Sequence, residues 1–208
     1  MIELLNYSKA YGEHVVLSIN SFRLNPGIHL IQGINGSGKT SLFKSIAGII
    51  SFHGDCLVHG LSIKDSPVDY RKRVNFCEAE PVFPSFLSGK EIIRFVDKAK
   101  NTPERELSRL LNSFNLLDFW HHPINKYSSG MLKKTAHAVA FLGMPKLILL
   151  DEPFTTIDQE SKRILCDLII EYHKNGCSFL ISAHDNKNNI PLDFHSHLKV
   201  DNQTISYV

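Results

Sequence analysis

The sequence is short of several things. Its apolar runs, such as Leu147 to Leu150 and Phe179 to Ile181, fall far below the roughly 20 residues that a membrane helix needs. No excess of one charge is present: 23 Lys and Arg stand against 21 Asp and Glu, so no basic face for nucleic acid is announced. The four cysteines, Cys56, Cys77, Cys166 and Cys177, form no CxxC pair and lie in apolar or mixed surroundings. They read as buried free thiols in a reducing compartment. His121-His122 and His195-Ser-His197 come without cysteines or acids at ligand spacing, which predicts solvated loop histidines rather than a metal centre. The beginning, Met1-Ile-Glu-Leu-Leu-Asn-Tyr-Ser-Lys9, has an early acid and no long apolar core, unlike a signal peptide. No repeat or low-complexity stretch is visible. A soluble, cytoplasmic domain is the expectation, and 208 residues with 43% hydrophobic content suffice for one substantial core.

What is present is concentrated in a few short segments. Gly33-Ile-Asn-Gly-Ser-Gly-Lys39-Thr40 fits the phosphate-loop pattern GxxxxGK[ST]. It follows the apolar run Ile28 to Ile31 and precedes the helix-like run Ser41 to Ala47, the context that pattern requires. Glycines at 33, 36 and 38 let successive N–H groups turn inward on a polyphosphate. The following helix adds the positive end of its dipole. Asn35, Gly36, Ser37, Gly38, Lys39, Thr40 and Ser41 are therefore the candidate nucleotide contacts, with Lys39 reaching the terminal phosphates and Thr40 ligating Mg²⁺.

A second segment is Leu147-Ile-Leu-Leu-Asp151-Glu152-Pro153. An unbroken apolar run ending in a carboxylate predicts a buried central strand with the acid at its C-terminal edge. Asp151 there is placed to hold Mg²⁺, and Glu152 is the candidate general base for an attacking water. Taken alone, the two acids could equally cap a helix beginning at Pro153.

The rest of the chain predicts an α/β domain with an interruption. Alternation over residues 2–31, broken at Gly12 and Pro26-Gly27, reads as an antiparallel strand group leading into the loop. The loop helix ends at Gly48, and Gly54 to Gly60 reads as a further short strand group. Residues 88–145 switch to helical spacing, with Ile92, Ile93, Phe95 and Val96, then Leu107, Leu110, Leu111, Phe114, Leu116 and Leu117 as the apolar face. Thr102 and Pro103 suit a helix cap and first turn. After 145 the βαβ rhythm returns, with a helix over Glu160 to Lys174 and a strand over Ser178 to Ser182.

Further motifs now make a resemblance specific. Tyr127-Ser-Ser-Gly130-Met131 opens a helix over Leu132 to Leu142 and resembles the signature motif of ATP-binding-cassette (ABC) ATPases, in the YSxGM form of bacterial export-type cassettes. Thr155-Thr-Ile-Asp158 resembles that family's D-loop. Phe179 to Asp185, with His184, resembles its switch-histidine strand end. Tyr11 matches the aromatic that stacks on adenine. The resemblance runs through essentially the whole chain, in the family's motif order.

It implies one ABC ATPase domain over 1–208. A P-loop NTPase core with an N-terminal antiparallel β part (1–87 and 146–208) would carry an inserted helical subdomain (88–145). It implies ATP and Mg²⁺ as ligands, Tyr11 on the base and His184 on the γ-phosphate. Ser128 and Gly130 would act in trans, on nucleotide held by a second subunit, in a homodimer or a pair with another cassette. The expected function is ATP hydrolysis powering a separately encoded transmembrane permease, with the subunit peripheral on the inner face of the membrane and no nucleic acid as partner.

Three positions depart from the family. The Gln-loop segment is Val74-Asn-Phe-Cys-Glu-Ala-Glu80-Pro81; an ungapped match puts Ala79 at the glutamine, and Glu78 or Glu80 one residue away. Glu80 is favoured as the substitute beside Mg²⁺. Ser129 stands where a second glycine is usual, and Ala183 where threonine is common. Turnover is expected, at a slow rate. Phe83-Pro-Ser-Phe86-Leu87 fits either core packing or a docking groove for a permease helix. The alternatives are a non-transport ABC-type ATPase or a low-turnover regulatory switch. Chromosome-type members need long coiled-coil arms that ~60 inserted residues cannot hold. Asn186-Lys-Asn-Asn189 lacks the aspartate of a guanine-reading NKxD.

Overall fold

A computed structural model describes residues 1–183 and 190–208. Two sheets organise the chain. Strands β1 (Ile2–Tyr11), β2 (His14–Leu24), β4 (His53–Val58) and β5 (Leu61–Ser62) form an antiparallel sheet in the order β2-β1-β4-β5. The second sheet, in the order β10-β9-β3-β8-β7-β6, uses β3 (Ile28–Gln32), β6 (Val74–Cys77), β7 (Leu147–Leu150), β8 (Ser178–Ser182), β9 (Ser196–Asp201) and β10 (Thr204–Tyr207). Its strands run parallel except for β10, which pairs antiparallel with β9.

The burial pattern explains the division. In β1 and β2 buried and solvent-facing positions are interspersed, whereas β3, β7 and β8 are buried at every residue. A strand covered on both faces belongs in a parallel sheet flanked by helices. Residues 2–31 are therefore not one antiparallel group: β3 leaves β1 and β2 to pair with β8 and β9. Successive side chains of the buried strands serve two cores. Leu147, Leu149 and Leu180 join the core beneath the antiparallel sheet, with Leu42, Phe43 and Ile46. Ile148, Leu150, Phe179 and Ile181 join the other core.

That second core is shared with the helical insert. Helices α3 (Gly89–Lys100), α4 (Glu104–Ser113) and α5 (Ser129–Phe141) fill residues 88–145, and Ile93, Leu107, Leu110, Phe114 and Trp120 pack in the same cluster as Ile148 and Leu165. The insert is thus welded to the sheet by one hydrophobic core. Helix α1 (Lys39–Ile46) follows the loop, and α6 (Gln159–Lys174) joins β7 to β8.

Several local expectations change. Phe95 is 77% exposed and Leu117 is 45% exposed, so the insert's apolar face is narrower than its spacing suggested. Thr102 does not cap α4: Pro103 holds the cap position without a side-chain bond, and the Thr102 hydroxyl accepts from Gly143 N at 2.9 Å. Helix α3 begins in a capping box of Ser88 and Glu91, which the S-x-x-E spacing could have revealed. The helix α2 (Pro67–Arg73) and strands β6, β9 and β10 were not anticipated. His121, His122 and His195 are exposed and lie outside regular structure, as expected, but His197 is half-buried in a strand. His195 Nδ1 accepts from Ile28 N at 3.1 Å, and His197 lies in β9. All four cysteines are buried free thiols.

Candidate nucleotide site

Parallel register lines up the C-terminal ends of the central strands. Cys77 faces Leu150, Leu150 faces Ile181, and Ile31 faces Ser182. Whatever follows each strand emerges along one edge, where open α/β sheets bind ligands. The phosphate loop follows β3, Asp151 and Glu152 follow β7, and residues 78–81 follow β6.

The loop is built by its glycines. Gly36 and Gly38 have φ of +79° and +104°, conformations that L side chains rarely take. At Gly33 a Cβ would lie 2.5 Å from the Val200 carbonyl oxygen and 2.6 Å from Ser37 Oγ, so the first glycine is set by close packing against β9. Asn35 and Gly36 are exposed on the crest. Lys39 is 6% exposed, and its Nζ arches over the loop to donate to the carbonyls of Gly33 (2.6 Å) and Ile34 (3.1 Å). The Ser37 hydroxyl is buried and has no partner among the described residues.

Behind the loop runs a line of hydrogen bonds. Thr40 Oγ1 donates to Asp151 Oδ2 at 2.7 Å, Ser182 Oγ donates to Asp151 Oδ1, and Glu152 N donates to Ser182 Oγ at 2.9 Å. Asp151 is 1% exposed, and these donors, with the short reach to α1, stabilise its carboxylate in that burial. Ser182 was missed in the sequence. Only the pairing of β7 with β8 reveals it. Thr40 and Asp151 offer hard oxygen ligands side by side, a donor set that suits Mg²⁺.

Glu152 adopts φ +46°. Its carbonyl accepts from the Thr155 hydroxyl at 2.8 Å. Glu80 does not join Thr40 and Asp151. It is exposed and lines a cavity of about 380 Å³ with Ala79, Pro81, Ser129, Leu132, Lys133, Glu152, Thr155 and Thr156. Among the described residues no three His, Cys, Asp or Glu side chains gather where they could hold a metal, so Glu80 completes no acidic cage. Glu78 is pulled aside by an ion pair with Lys44 of α1 at 2.6 Å. His184 and the Asn186–Asn189 segment lie outside the described residues.

Tyr11 closes the other side of the loop. Its hydroxyl is 3.3 Å from Ser41 Oγ, and Lys9 Nζ sits 4.5 Å from the ring centroid, with the ring itself half exposed. Ser128 and Gly130 stand apart. Ser128 caps α5, accepting from Met131 N at 3.2 Å, and neither residue hydrogen-bonds the phosphate loop among the described residues. Asp158 caps α6 and pairs with Lys134 of α5 at 3.2 Å; the backbone N–H of Ser161 holds its carboxyl down to about 2.

The helix starts carry a consistent charge signature. Helices α2, α3, α4 and α6 each have an acid in the first turn, while α1 and α5 have none. An acid at a helix start neutralises the dipole's positive end. Its absence at α1 and α5 leaves those two ends able to attract an external anion.

The chain is similar to known proteins in sequence and in fold. A family model described as ABC transporter matches residues 17–155. The retinal-specific phospholipid-transporting ATPase ABCA4 of Mus musculus is 30% identical over 159 residues, 74% of this chain and 7% of that protein. The lantibiotic transport ATP-binding protein SrtF of Streptococcus pyogenes is 27% identical over 186 residues, covering 88% of this chain and 80% of that protein. Among solved structures, an ATP-binding subunit of an ABC transporter superposes with a TM-score of 0.89 at 25% identity, over 100% of this chain and 89% of that one. A dimeric ATP-binding cassette in a post-hydrolysis state, bound to ADP and Pi, has the same fold, with a TM-score of 0.82 at 17% identity over 99% and 97% of the two chains.

Proposed function

The chain belongs to the ABC transporter family, and on that premise we propose that it is the ATP-binding and ATP-hydrolysing subunit of a transporter, driving a separately encoded membrane permease through nucleotide-dependent dimerisation. The observation that carries the reading is the hydrogen-bonded line Thr40–Asp151–Ser182–Glu152 behind a complete phosphate loop. It ties the end of the phosphate grip to the residue next to the attacking water.

Tyr11 offers its ring to the base, a contact that tolerates different purines because it reads a π-face. Backbone N–H groups from Asn35 to Ser41, with Lys39, hold the phosphates; Lys39 exchanges its two carbonyl partners for phosphate oxygens. Thr40 and Asp151 would hold Mg²⁺, which when bound neutralises charge on the phosphate oxygens. Glu152 takes the proton of the attacking water, and His184 steadies the γ-phosphate. Ser128 and the acid-free start of α5 reach the nucleotide of a second subunit. Hydrolysis removes the group that joins the halves, and their separation moves the permease.

No helix among the described residues is long and apolar enough to cross a membrane, which agrees with a peripheral subunit. Beside residues 78–81 the segment Val82 to Leu87 offers a docking surface for the permease. Val82 and Phe86 are exposed at 85% and 79%, while Phe83 packs against the insert's core. A nucleotide switch with little turnover is the second reading, favoured by Ala79 at the expected glutamine and by the exposure of Glu80.

Phosphate release by the wild type and by Glu152→Gln tests the proposal. If Glu152 is the base, turnover falls by about 10² to 10⁴-fold while ATP binding persists. Equal turnover in the two proteins removes Glu152 from the chemistry. Negligible turnover in the wild type, with intact ATP-driven dimerisation, selects the switch.

A further inference from the structure

The reading above makes no use of the most deeply buried cation among the described residues. Lys133 is 1% exposed and stands in α5, three residues past Gly130. Its Nζ donates to Ala79 O at 2.6 Å and to Glu152 O at 3.2 Å, with Glu78 O at 3.5 Å. Taking an ammonium out of water is costly unless its protons are satisfied. Here three carbonyls meet the three donors of the group. Desolvation lowers its pKa, and the neighbouring Cys77, Asp151, Glu152 and Glu80 oppose that shift.

The three carbonyls belong to two loops that are distant in sequence, one after β6 and one after β7. The ammonium reaches both from the helix that the family resemblance assigns to the partner's nucleotide. Two further facts give the contact a job. Glu152 holds a left-handed backbone at φ +46°, which for a residue with a Cβ is strained and persists only where surroundings impose it. Lys133 and Thr155 grip its carbonyl and Ser182 its N–H. Ala79 has no polar side chain, so at that position it is the backbone carbonyl that couples the loop to Lys133.

We propose that Lys133 is a positioning residue that fixes the backbone of Glu152 and locks residues 78–79 and α5 to it, so that movement of either element displaces the base. The proposal rests on Glu152 as the base.

Lys133→Met keeps the buried stem and removes the ammonium; Lys133→Gln keeps a neutral donor. In the full chain, kcat should fall about tenfold to a hundredfold in Lys133→Met, as for a base displaced by ~1 Å, with KM and nucleotide affinity unchanged. Lys133→Gln should recover part of the loss. Added to Glu152→Gln, Lys133→Met should lower the residual rate no further. Independently of hydrolysis, amide exchange over 78–80 and 152–156 should rise at least about tenfold in Lys133→Met, with residues 33–40 unaffected. Unchanged exchange in those two segments overturns the proposal, as does an equal rate loss on the Glu152→Gln background. If Glu152→Gln itself turns over normally, the assignment of the base fails, while raised exchange in Lys133→Met still upholds the coupling of the two loops.

Discussion

The two halves of the candidate site differ in how they are finished. Around the phosphate loop the polar groups mostly find partners in the chain. Lys39 bonds loop carbonyls, Thr40 and Ser182 bond Asp151, and Tyr11 lies against Ser41. The start of α5 has its own cap in Ser128 but no acid in its first turn and no bond to the loop. The first half is a closed piece of architecture. The second is a helix start without a compensating acid, which the proposed contact in trans would use. The contrast is the one that the proposed pairing of two subunits requires, with the phosphate grip finished within one chain and the start of α5 left for another.

Breaking the open half should have the largest effect. A Cβ at Gly130 would meet only Ser128 Oγ at 3.9 Å and Thr156 O at 4.0 Å, so a side chain can start there without a clash. Placed in Glu152→Gln, it should abolish the ATP-dependent dimer through like-charge repulsion at the γ-phosphate. ATP binding to the monomer should remain. Light scattering after sizing chromatography reads both states; a dimer that survives shows that residues 127–131 do not act in trans.

Breaking the closed half comes next. Gly33→Ala drives a methyl into the Val200 carbonyl and Ser37, an overpacking of about 1–3 kcal/mol. Nucleotide affinity should fall by at least about tenfold, since 1.4 kcal/mol is a factor of ten, and the Asp151 end should stay folded. Calorimetric titration with ATP measures it. Wild-type affinity would mean that β9 does not constrain the loop.

Acid sharpens the comparison, because each half rests on a buried histidine. His29 in β3 is held down to about 4 by burial, and His137 in α5 to about 3. In the unfolded chain both titrate near 6.5. Between those values the unfolded state binds protons that the folded state refuses, so stability is complete above pH 6.5 and is lost as the pH falls. The slope is up to about 1.4 kcal/mol per pH unit for each residue. His29→Gln and His137→Leu should each flatten urea midpoints between pH 6.5 and 4.5. A single substitution that removes the whole slope would show that only one half is acid-sensitive.

The smallest effect belongs to the link between insert and core. Thr102→Val removes the acceptor of Gly143 N and should cost about 1 kcal/mol without changing ATP affinity, as thermal unfolding with and without nucleotide will report.

Motifs were the most legible part of the chain. Gly33 to Thr40, Leu147 to Glu152 and the strand Ser178 to Ser182 lie where residue pattern alone puts them, because loop chemistry and continuous apolar runs are local properties. Less legible was anything that depended on pairing. The run Ile28 to Ile31 was grouped with its sequence neighbours, although its lack of alternation separates it from β1 and β2. Phe95 sits at helical spacing with Ile92, Ile93 and Val96 and yet faces out, because the stripe that meets the sheet is narrower than the apolar pattern. His197 reads as a solvated loop residue because nothing near it in sequence shows that β9 will lie against β3.

The sequence by itself determined the nucleotide grip, the acids of the central strand and the family, since each depends on residues within a few positions of one another. Tertiary structure decided which elements meet. It placed Ser182 between Asp151 and Glu152, turned Glu78 onto Lys44, left Glu80 outside the acid pair, and seated the Lys133 ammonium on carbonyls 54 and 19 residues away. The reason is physical. A local motif is fixed by backbone conformation and side-chain type, whereas a buried charge or a shared hydroxyl is fixed only when the hydrophobic core has set the order and register of its strands.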